Sequence, residues 1–241
     1  MALSRERPRN SEYISAVPRI SFPDKPFYVA DETYFGLEPA MKKKPVNDHA
    51  LDQIWRHGRS YNGWTQENVP ETLVRATYDL TKMGMTSANC SPARFVFLQS
   101  SDAKARLKPY LMEGNVEKTL AAPWVVIIAH DLEFHEKIPE LFPHNPGAKD
   151  WFSDEQNRHT TAFRNATLQG AYLMLAARAL GLDCGPMSGF NNAGVDKEFF
   201  LDNDATKTWR SNWLCNIGHG DDSTVFERSP RLSFEDACMI L

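Results

Sequence analysis

Hydrophobic positions along the chain switch between two periods, and the switches mark its elements. Leu51, Ile54 and Trp55 fall at helical spacing after Asp48, the expected N-cap. A second helix is expected from Pro70, a good first-turn residue, with Leu73, Ala76, Thr77 and Leu80 at helical spacing. Residues 94–99, containing Phe-Val-Phe-Leu, read as a strand, and residues 102–111 and 116–120 as short helices. Residues 124–129 form a β-branched run without alternation, which suits a central strand covered on both faces. Residues 160–180 carry the longest helical pattern, apolar nearly all round through Ala162, Phe163, Ala166, Leu168, Ala171, Leu173 and Met174. Such a helix must be covered on most sides, and a subunit interface is a natural cover. Residues 213–218 read as a further strand. Strands interleaved with helices predict a layered α+β or α/β domain.

The pattern fails in two places. Across residues 1–45, Pro8, Pro18, Pro23, Pro26, Pro39 and Pro45 interrupt every candidate segment, yet Tyr13, Phe22, Phe27, Tyr28, Tyr34 and Phe35 are many aromatics for a disordered tail. An extended N-terminal arm is therefore expected over residues 1–45, before a globular domain over 46–241. Residues 133–154, with Pro139, Pro143, Pro146 and Gly147, are long for a loop, and such segments are often lids.

Composition excludes several classes. A net charge of −4 gives no basic footprint for a nucleic-acid partner. The longest apolar run, residues 121–129, is broken by Pro123 and is about half of the roughly 20 residues a membrane span needs. No secretory h-region opens the chain. Cys90, Cys184, Cys215 and Cys238 are scattered, as expected of reduced thiols in a cytoplasmic protein. The seven histidines show no metal spacing, so no metal is expected. There is no P-loop, no G-x-S-x-G elbow and no G-x-G-x-x-G, so any nucleotide is not held in a Rossmann manner.

Four short runs carry candidate chemistry. Arg59-Ser60-Tyr61-Asn62 follows a predicted helix, and a guanidinium beside a hydroxyl suits a phosphate; plain surface is the alternative. The run from Thr86 through Asn89, Cys90 and Ser91 to Arg94 offers small polar side chains to a heteroaromatic edge, or is simply a helix-to-strand turn. Residues 181–190, Gly-Leu-Asp-Cys-Gly-Pro-Met-Ser-Gly-Phe, follow the long helix and deliver side-chain-poor backbone suited to a flat ligand. Gly181 alone is explained as a helix cap; Gly185-Pro186 and Met187-Ser188-Gly189 are not. Finally, Arg228 and Arg231 supply guanidiniums near the C-terminus, for an anion or for solvent.

Taken together, the order and spacing of these runs resemble the nitroreductase superfamily of flavin enzymes. Asn62-Gly-Trp64, Thr86-Ser-Ala-Asn-Cys-Ser-Pro-Ala-Arg94, Phe163-Arg-Asn165, residues 179–190 and residues 230–237 are similar to the subfamily containing the malonic semialdehyde reductase of pyrimidine (uracil) degradation. The resemblance implies an α+β, three-layer fold with a mostly antiparallel central sheet, as an intertwined obligate homodimer. It implies FMN as cofactor and NAD(P)H as cosubstrate, with ping-pong hydride transfer through flavin N5. It puts Arg59 and Ser60 at the FMN phosphate and ribityl end, with Asn62 nearby and Arg231, with Arg228, returning to the phosphate. Pro186, Met187, Ser188 and Gly189 would line the ring edge. Asn89 and Ser91 would come from the partner, and Asn89, Ser91 and Ser188 are the candidates for contact with the reacting groups.

Three departures accompany the likeness. Asn62 stands where many relatives carry a basic residue for the negative N1 and O2 region of the reduced flavin, so either the amide stabilises that region less strongly or a residue such as Lys82 has to help. Met85 replaces a common proline, and the N-terminal arm has no counterpart. The resemblance implies, as the leading activity, reduction of a small 3-oxo-acid aldehyde such as malonic semialdehyde, with Arg94, Lys149 or Arg158 for its carboxylate. A broad nitroaromatic or quinone reductase, with Phe142, Trp151 and Phe152 as an apolar slot, is the alternative. A flavin carrier or sensor without turnover is the third.

Overall fold

The computed structural model describes residues 44–241; residues 1–43, nearly all of the expected arm, lie outside the described residues. The described residues divide into two compact units, one of residues 44–58 with Phe226–Leu241 and one of Arg59–Val225. In the first, helix α1 (Asp48–Leu51) is capped by Asn47, whose side chain accepts from Ala50 N at 2.9 Å. The cap is one residue earlier than expected because the Asp48 carboxylate is committed elsewhere: it pairs with buried Arg56 at 2.9 Å, as does Asp52. The helix runs on into a π-helical turn, Asp52–Arg56. Ser233 caps a last short helix, Phe234–Ala237.

In the second unit, α2 (Glu71–Thr81) starts immediately after Pro70, which is the N-cap in extended conformation rather than a first-turn residue. Strand β1 (Ala93–Leu98) and α3 (Ser101–Leu107) follow, the latter capped by Ser100 and tightened at Lys108–Tyr110. Next come α4 (Glu113–Ala121) and β2 (Trp124–Asp131), which is buried at every position. Residues 133–154 fold into short helical pieces, including α5 (Ile138–Leu141) and a 3-10 helix over Pro146–Phe152, and lead into α6 (Glu155–Ala179). Helix α6 begins five residues before the expected start because Asp154 caps it, accepting from Asn157 N at 2.7 Å. Strand β3 (Asp183–Met187), α7 (Asn192–Asp196) and β4 (Trp209–Gly218) complete the unit. The sequence pattern did not predict α7, a single turn.

The sheet order is β1-β2-β4-β3, with all three pairings antiparallel. Consecutive residues of β2 feed opposite cores. Val125, Ile127 and Ala129 pack with Leu107, Phe200 and Leu214, whereas Val126 and Ile128 pack with Leu173 and Ala177 of α6. Each such Val, Ile, Leu or Phe side chain contributes roughly 2 kcal/mol of apolar burial, and helices on both faces give the three layers the resemblance implied. The unit is thus α+β. In the single chain α6 is covered on one side only: Phe163 and Leu168 remain 47% and 43% exposed.

Candidate functional site

Strand β3 is an edge strand, and its placement follows from the cap of α6. Gly181 adopts φ +80°, where a Cβ is disfavoured, and Leu182 N donates back to Ala177 O at 2.9 Å. The chain then turns straight into β3, so residues 181–190 are both a helix cap and an exposed-edge strand. Along that edge runs Arg59-Ser60-Tyr61. Ser60 bridges Cys184 in parallel sense, and Tyr61 N donates to Cys184 O at 3.0 Å. The approach is close because Gly185 has no side chain: a Cβ there would lie 2.5 Å from the Tyr61 carbonyl oxygen. Two of the sequence-predicted runs therefore meet, with Ser60 and Ser188 exposed and Arg59, Pro186 and Gly189 half-buried. Met187 is buried instead, its sulfur accepting from Thr119 Oγ1 at 3.4 Å.

Tyr61 anchors this segment. Its hydroxyl donates to Asp222 at 2.7 Å, and burial, with that bond, pushes its ionisation up. Asp183 accepts from Gly220 N at 2.9 Å while burial raises its carboxyl.

Helix α4 supplies the site residues that the sequence reading missed. Asn115 Nδ2 donates to Gly189 O at 2.8 Å, and Lys118 Nζ to Asn62 Oδ1 at 3.3 Å. Asn115, Lys118 and Thr119, spaced i, i+3 and i+4, share one helix face. A Cβ on Gly189 would sit 2.6 Å from Asn115 Nδ2. The available signal was that spacing, in a segment read as a helix of only five residues. Lys82, the cation named as able to help Asn62, is committed to Asp79 at 2.5 Å.

At the opposite edge, the run before β1 is held in an unusual shape. Ala88, Asn89 and Ser91 adopt φ of 49°, 48° and 37°, left-handed values that cost non-glycine residues energy. Two amides of α6 secure it: Asn165 Oδ1 accepts from Ser87 N at 2.9 Å and Gln169 Oε1 from Ala93 N at 2.8 Å. Asn89 is exposed, with Nδ2 on Leu141 O at 2.8 Å, and Ser91 is half-buried. Three strand spacings separate the edges, about 14 Å, so one chain does not bring Asn89 and Ser91 to Ser188.

The remaining candidates have other partners. Arg228 donates to the carbonyls of Arg56 at 2.7 Å and Gly58 at 3.2 Å, and Arg231 to those of Ser229 and Pro230. Arg94 is paired with Asp131 at 2.7 Å, Lys149 with Glu136 at 2.7 Å and Arg158 with Glu133 at 3.9 Å. Of the proposed apolar slot, Phe152 is buried against Phe134 and Phe142 is half-buried on His144, which leaves Trp151 exposed. Cys90 is buried, and burial pushes its thiol up to about 11, away from nucleophile range. Among the described residues one metal-like group occurs, Glu133, His135 and Glu136, and its carboxylates are already in the ion pairs with Arg158 and Lys149.

The Nitroreductase family matches this chain over residues 42–219. A protein of Cupriavidus pinatubonensis named for NADH dehydrogenase/NAD(P)H nitroreductase activity is 55% identical over 193 residues, covering 79% of this chain and 96% of that protein. The similarly named HadB of Ralstonia pickettii is 53% identical over 194 residues, covering 79% and 97%. Among solved structures, a nitroreductase of Exiguobacterium sibiricum in complex with FMN has a TM-score of 0.71 at 18% identity, covering 83% of this chain and 100% of that one. The enone reductase CLA-ER of gut-bacterial fatty acid saturation has a TM-score of 0.69 at 18% identity, covering 82% and 100%. These structures share the fold.

Proposed function

The chain belongs to the nitroreductase family, and on that premise we propose that it is a homodimeric, cytoplasmic, FMN-dependent NAD(P)H oxidoreductase acting on flat, uncharged acceptors of the nitroaromatic or quinone type. One observation carries this reading: Arg59-Ser60 and the Pro186–Gly189 backbone converge on one edge strand, with glycine where side chains would block the approach. The donor set fits FMN. A guanidinium and a hydroxyl suit its phosphate and ribityl end, Asn62 its ring, and the bare backbone after Pro186 the ring edge. The FMN named with the Exiguobacterium structure supports the same choice. When bound, FMN supplies hydride transfer between NAD(P)H and an acceptor at one shared place, hence ping-pong kinetics.

This chain's residues orient the reactants and exclude water. Ser188 stands exposed beyond β3, and Asn89 and Ser91 join it from the second copy in this reading. The uncovered Phe163 and Leu168 on α6 support such a dimer. The acceptor class rests on charge. The carboxylate of a 3-oxo acid such as malonic semialdehyde needs a cation, and Arg94, Lys149 and Arg158 each hold a carboxylate already. An uncharged acceptor needs only apolar cover, which Trp151 offers. Free thiols at Cys90, Cys184, Cys215 and Cys238 support a reducing compartment.

The purified protein is expected to be yellow with one FMN per chain, and anaerobic NADH or NADPH to bleach it rapidly. In stopped flow, nitrofurazone restores the colour faster than malonic semialdehyde does. The reverse order overturns the acceptor class, and a colourless protein that takes up no FMN overturns the whole reading.

A further inference from the structure

The turn that follows β2 brings together three side chains that the proposed chemistry does not use. Glu133 is the N-cap of a 3-10 turn, Phe134–Lys137, and Glu136 N donates back to Glu133 O at 3.1 Å. In such a turn side chains at i and i+3 eclipse, so Glu133 and Glu136 stand one above the other with His135 beside them. Ligand atoms of all three lie within 4.8 Å of one another. His135 is only 9% exposed, its ring edge-on to Phe134. Its Nε2 faces Glu136 Oε1 at 3.5 Å and Glu133 Oε2 at 3.7 Å, while Nδ1 is buried without a partner. Distance decides which cation belongs between these atoms. A ring N–H bonded to a carboxylate closes to about 2.8 Å. Two ligand atoms bound to one tetrahedral Zn2+ at about 2.0–2.1 Å stand roughly 3.4 Å apart. The observed 3.5 and 3.7 Å match the second spacing. The ion pairs of this cluster leave the inner oxygens unused. Lys149 holds Glu136 by Oε2 at 2.7 Å, and Arg158 approaches Glu133 by Oε1 at 3.9 Å.

We propose that Glu133 Oε2, His135 Nε2 and Glu136 Oε1 form a binding site for a divalent transition-metal ion of the zinc class, with a fourth position open to water. An imidazole with two carboxylates suits zinc better than magnesium or calcium, which take oxygen ligands alone. Lys149 and Arg158 are outer partners that steady the carboxylates by their far oxygens. Their charge also offsets that of the two glutamates, so binding in the micromolar range is expected rather than tighter. The site lies at the root of residues 133–154, the segment whose Leu141 carbonyl holds Asn89. The ion braces that segment and takes no part in hydride transfer, so the proposal stands apart from the FMN reading.

The test uses the full-length protein after EDTA treatment and gel filtration, with ZnCl2 as probe in competition with a chromogenic zinc chelator. Wild type is expected to take up one Zn2+ per chain and to show no comparable affinity for MgCl2. Glu133→Gln, Glu136→Gln and His135→Phe are each checked for their thermal transition. Each is expected to weaken Zn2+ binding about tenfold or more, the least that loss of an outer partner costs. His159→Gln and Cys238→Ser remove exposed alternative ligands and leave the affinity unchanged. X-ray absorption of the zinc complex shows nitrogen and oxygen ligands at about 2.0–2.2 Å. Both glutamates reach solvent, so their variants keep the test alive if His135→Phe does not fold. Failure of wild type to take up Zn2+, or unchanged affinity in either folded glutamate variant, overturns the proposal. A sulfur ligand in the absorption spectrum, or loss of binding in Cys238→Ser, does the same by placing the ion at a thiol. Preference for Mg2+ overturns the metal class.

Discussion

At one edge of the sheet, β3 runs beside Ser60-Tyr61 with backbone against backbone, and Gly185 makes the approach possible by having nothing to put in the way. At the other edge, β1 begins after three left-handed non-glycine residues, and the amides of Asn165 and Gln169 reach from α6 to hold them. The first edge is made by omission and the second by side-chain restraint. An omission is read directly from sequence, because glycine has one obvious structural use at a close approach. A restraint is not, because Gln169 lies 76 positions from the backbone N–H it satisfies.

The largest expected difference between the edges is in acid. His130 on β2 pairs with Ala93 at the start of β1, and is buried with both ring nitrogens unpartnered, its ring edge-on to His159 and Phe163. Burial, with His159 and Arg210 adding, lowers its pKa to about 4. The unfolded chain accepts this proton near pH 6.5, whereas the folded chain refuses it until about pH 4. Protonation thus favours unfolding, and stability falls as pH drops through that window, by up to about 3 kcal/mol. Urea unfolding at pH 7, 5 and 4 should show this loss in wild type and a smaller one in His130→Phe. Parallel curves for the two proteins would show that His130 is not its source.

A smaller effect is expected from filling the omission. In Gly185→Ala the new Cβ meets the Tyr61 carbonyl, a backbone atom that cannot swing aside. The cost is expected to be about 2 kcal/mol, together with loss of FMN binding in titrations. Gly114→Ala is the control: its Cβ meets nothing within 4 Å, and it lies in α4, where alanine is the better helix former. Equal behaviour of the two variants would remove the special status of Gly185.

Removing one restraint at the other edge should cost least. Gln169→Leu leaves the buried Ala93 N–H without its acceptor, for about 1.5 kcal/mol. Hydrogen exchange should localise the loosening to the amide of Ala93 and the loop before it. Unchanged protection there would mean that the left-handed loop holds itself.

How legible the molecule was in its sequence varies along the chain for physical reasons. The buried run of β2 and the long α6 were plain, since a doubly covered strand and a long apolar helix leave strong patterns. The start of α6 was placed five residues late because Glu155-Gln156-Asn157 carries no apolar signal, and only the Asp154 cap sets it. The first helix cap likewise moved by one residue, from Asp48 to Asn47, where two competing cap residues stand side by side, and α2 starts one residue later than expected because Pro70 is extended. Within the candidate site, residues 59–62 and 185–189 were singled out by composition and resemblance, and they meet. Lys118, which contacts Asn62, was missed, and Lys82 was named as one residue that could help Asn62. Which of two lysines points at Asn62 depends on the packing of α4 against β3, and no local pattern encodes that.

The sequence by itself determined the longer elements, the family and the glycine-lined run, because periodicity and the need for a bare backbone are properties of neighbouring residues, whereas β3 and the single turn α7 emerged only with the fold. Only the tertiary structure decided which charges are already spent. Arg94, Lys149, Arg158 and Lys82 were each attractive as isolated cations, and each has a carboxylate partner brought to it by the fold. Coulomb attraction acts over a few ångströms of space, not along the chain, so which of these cations were already paired could be read only after the chain had folded.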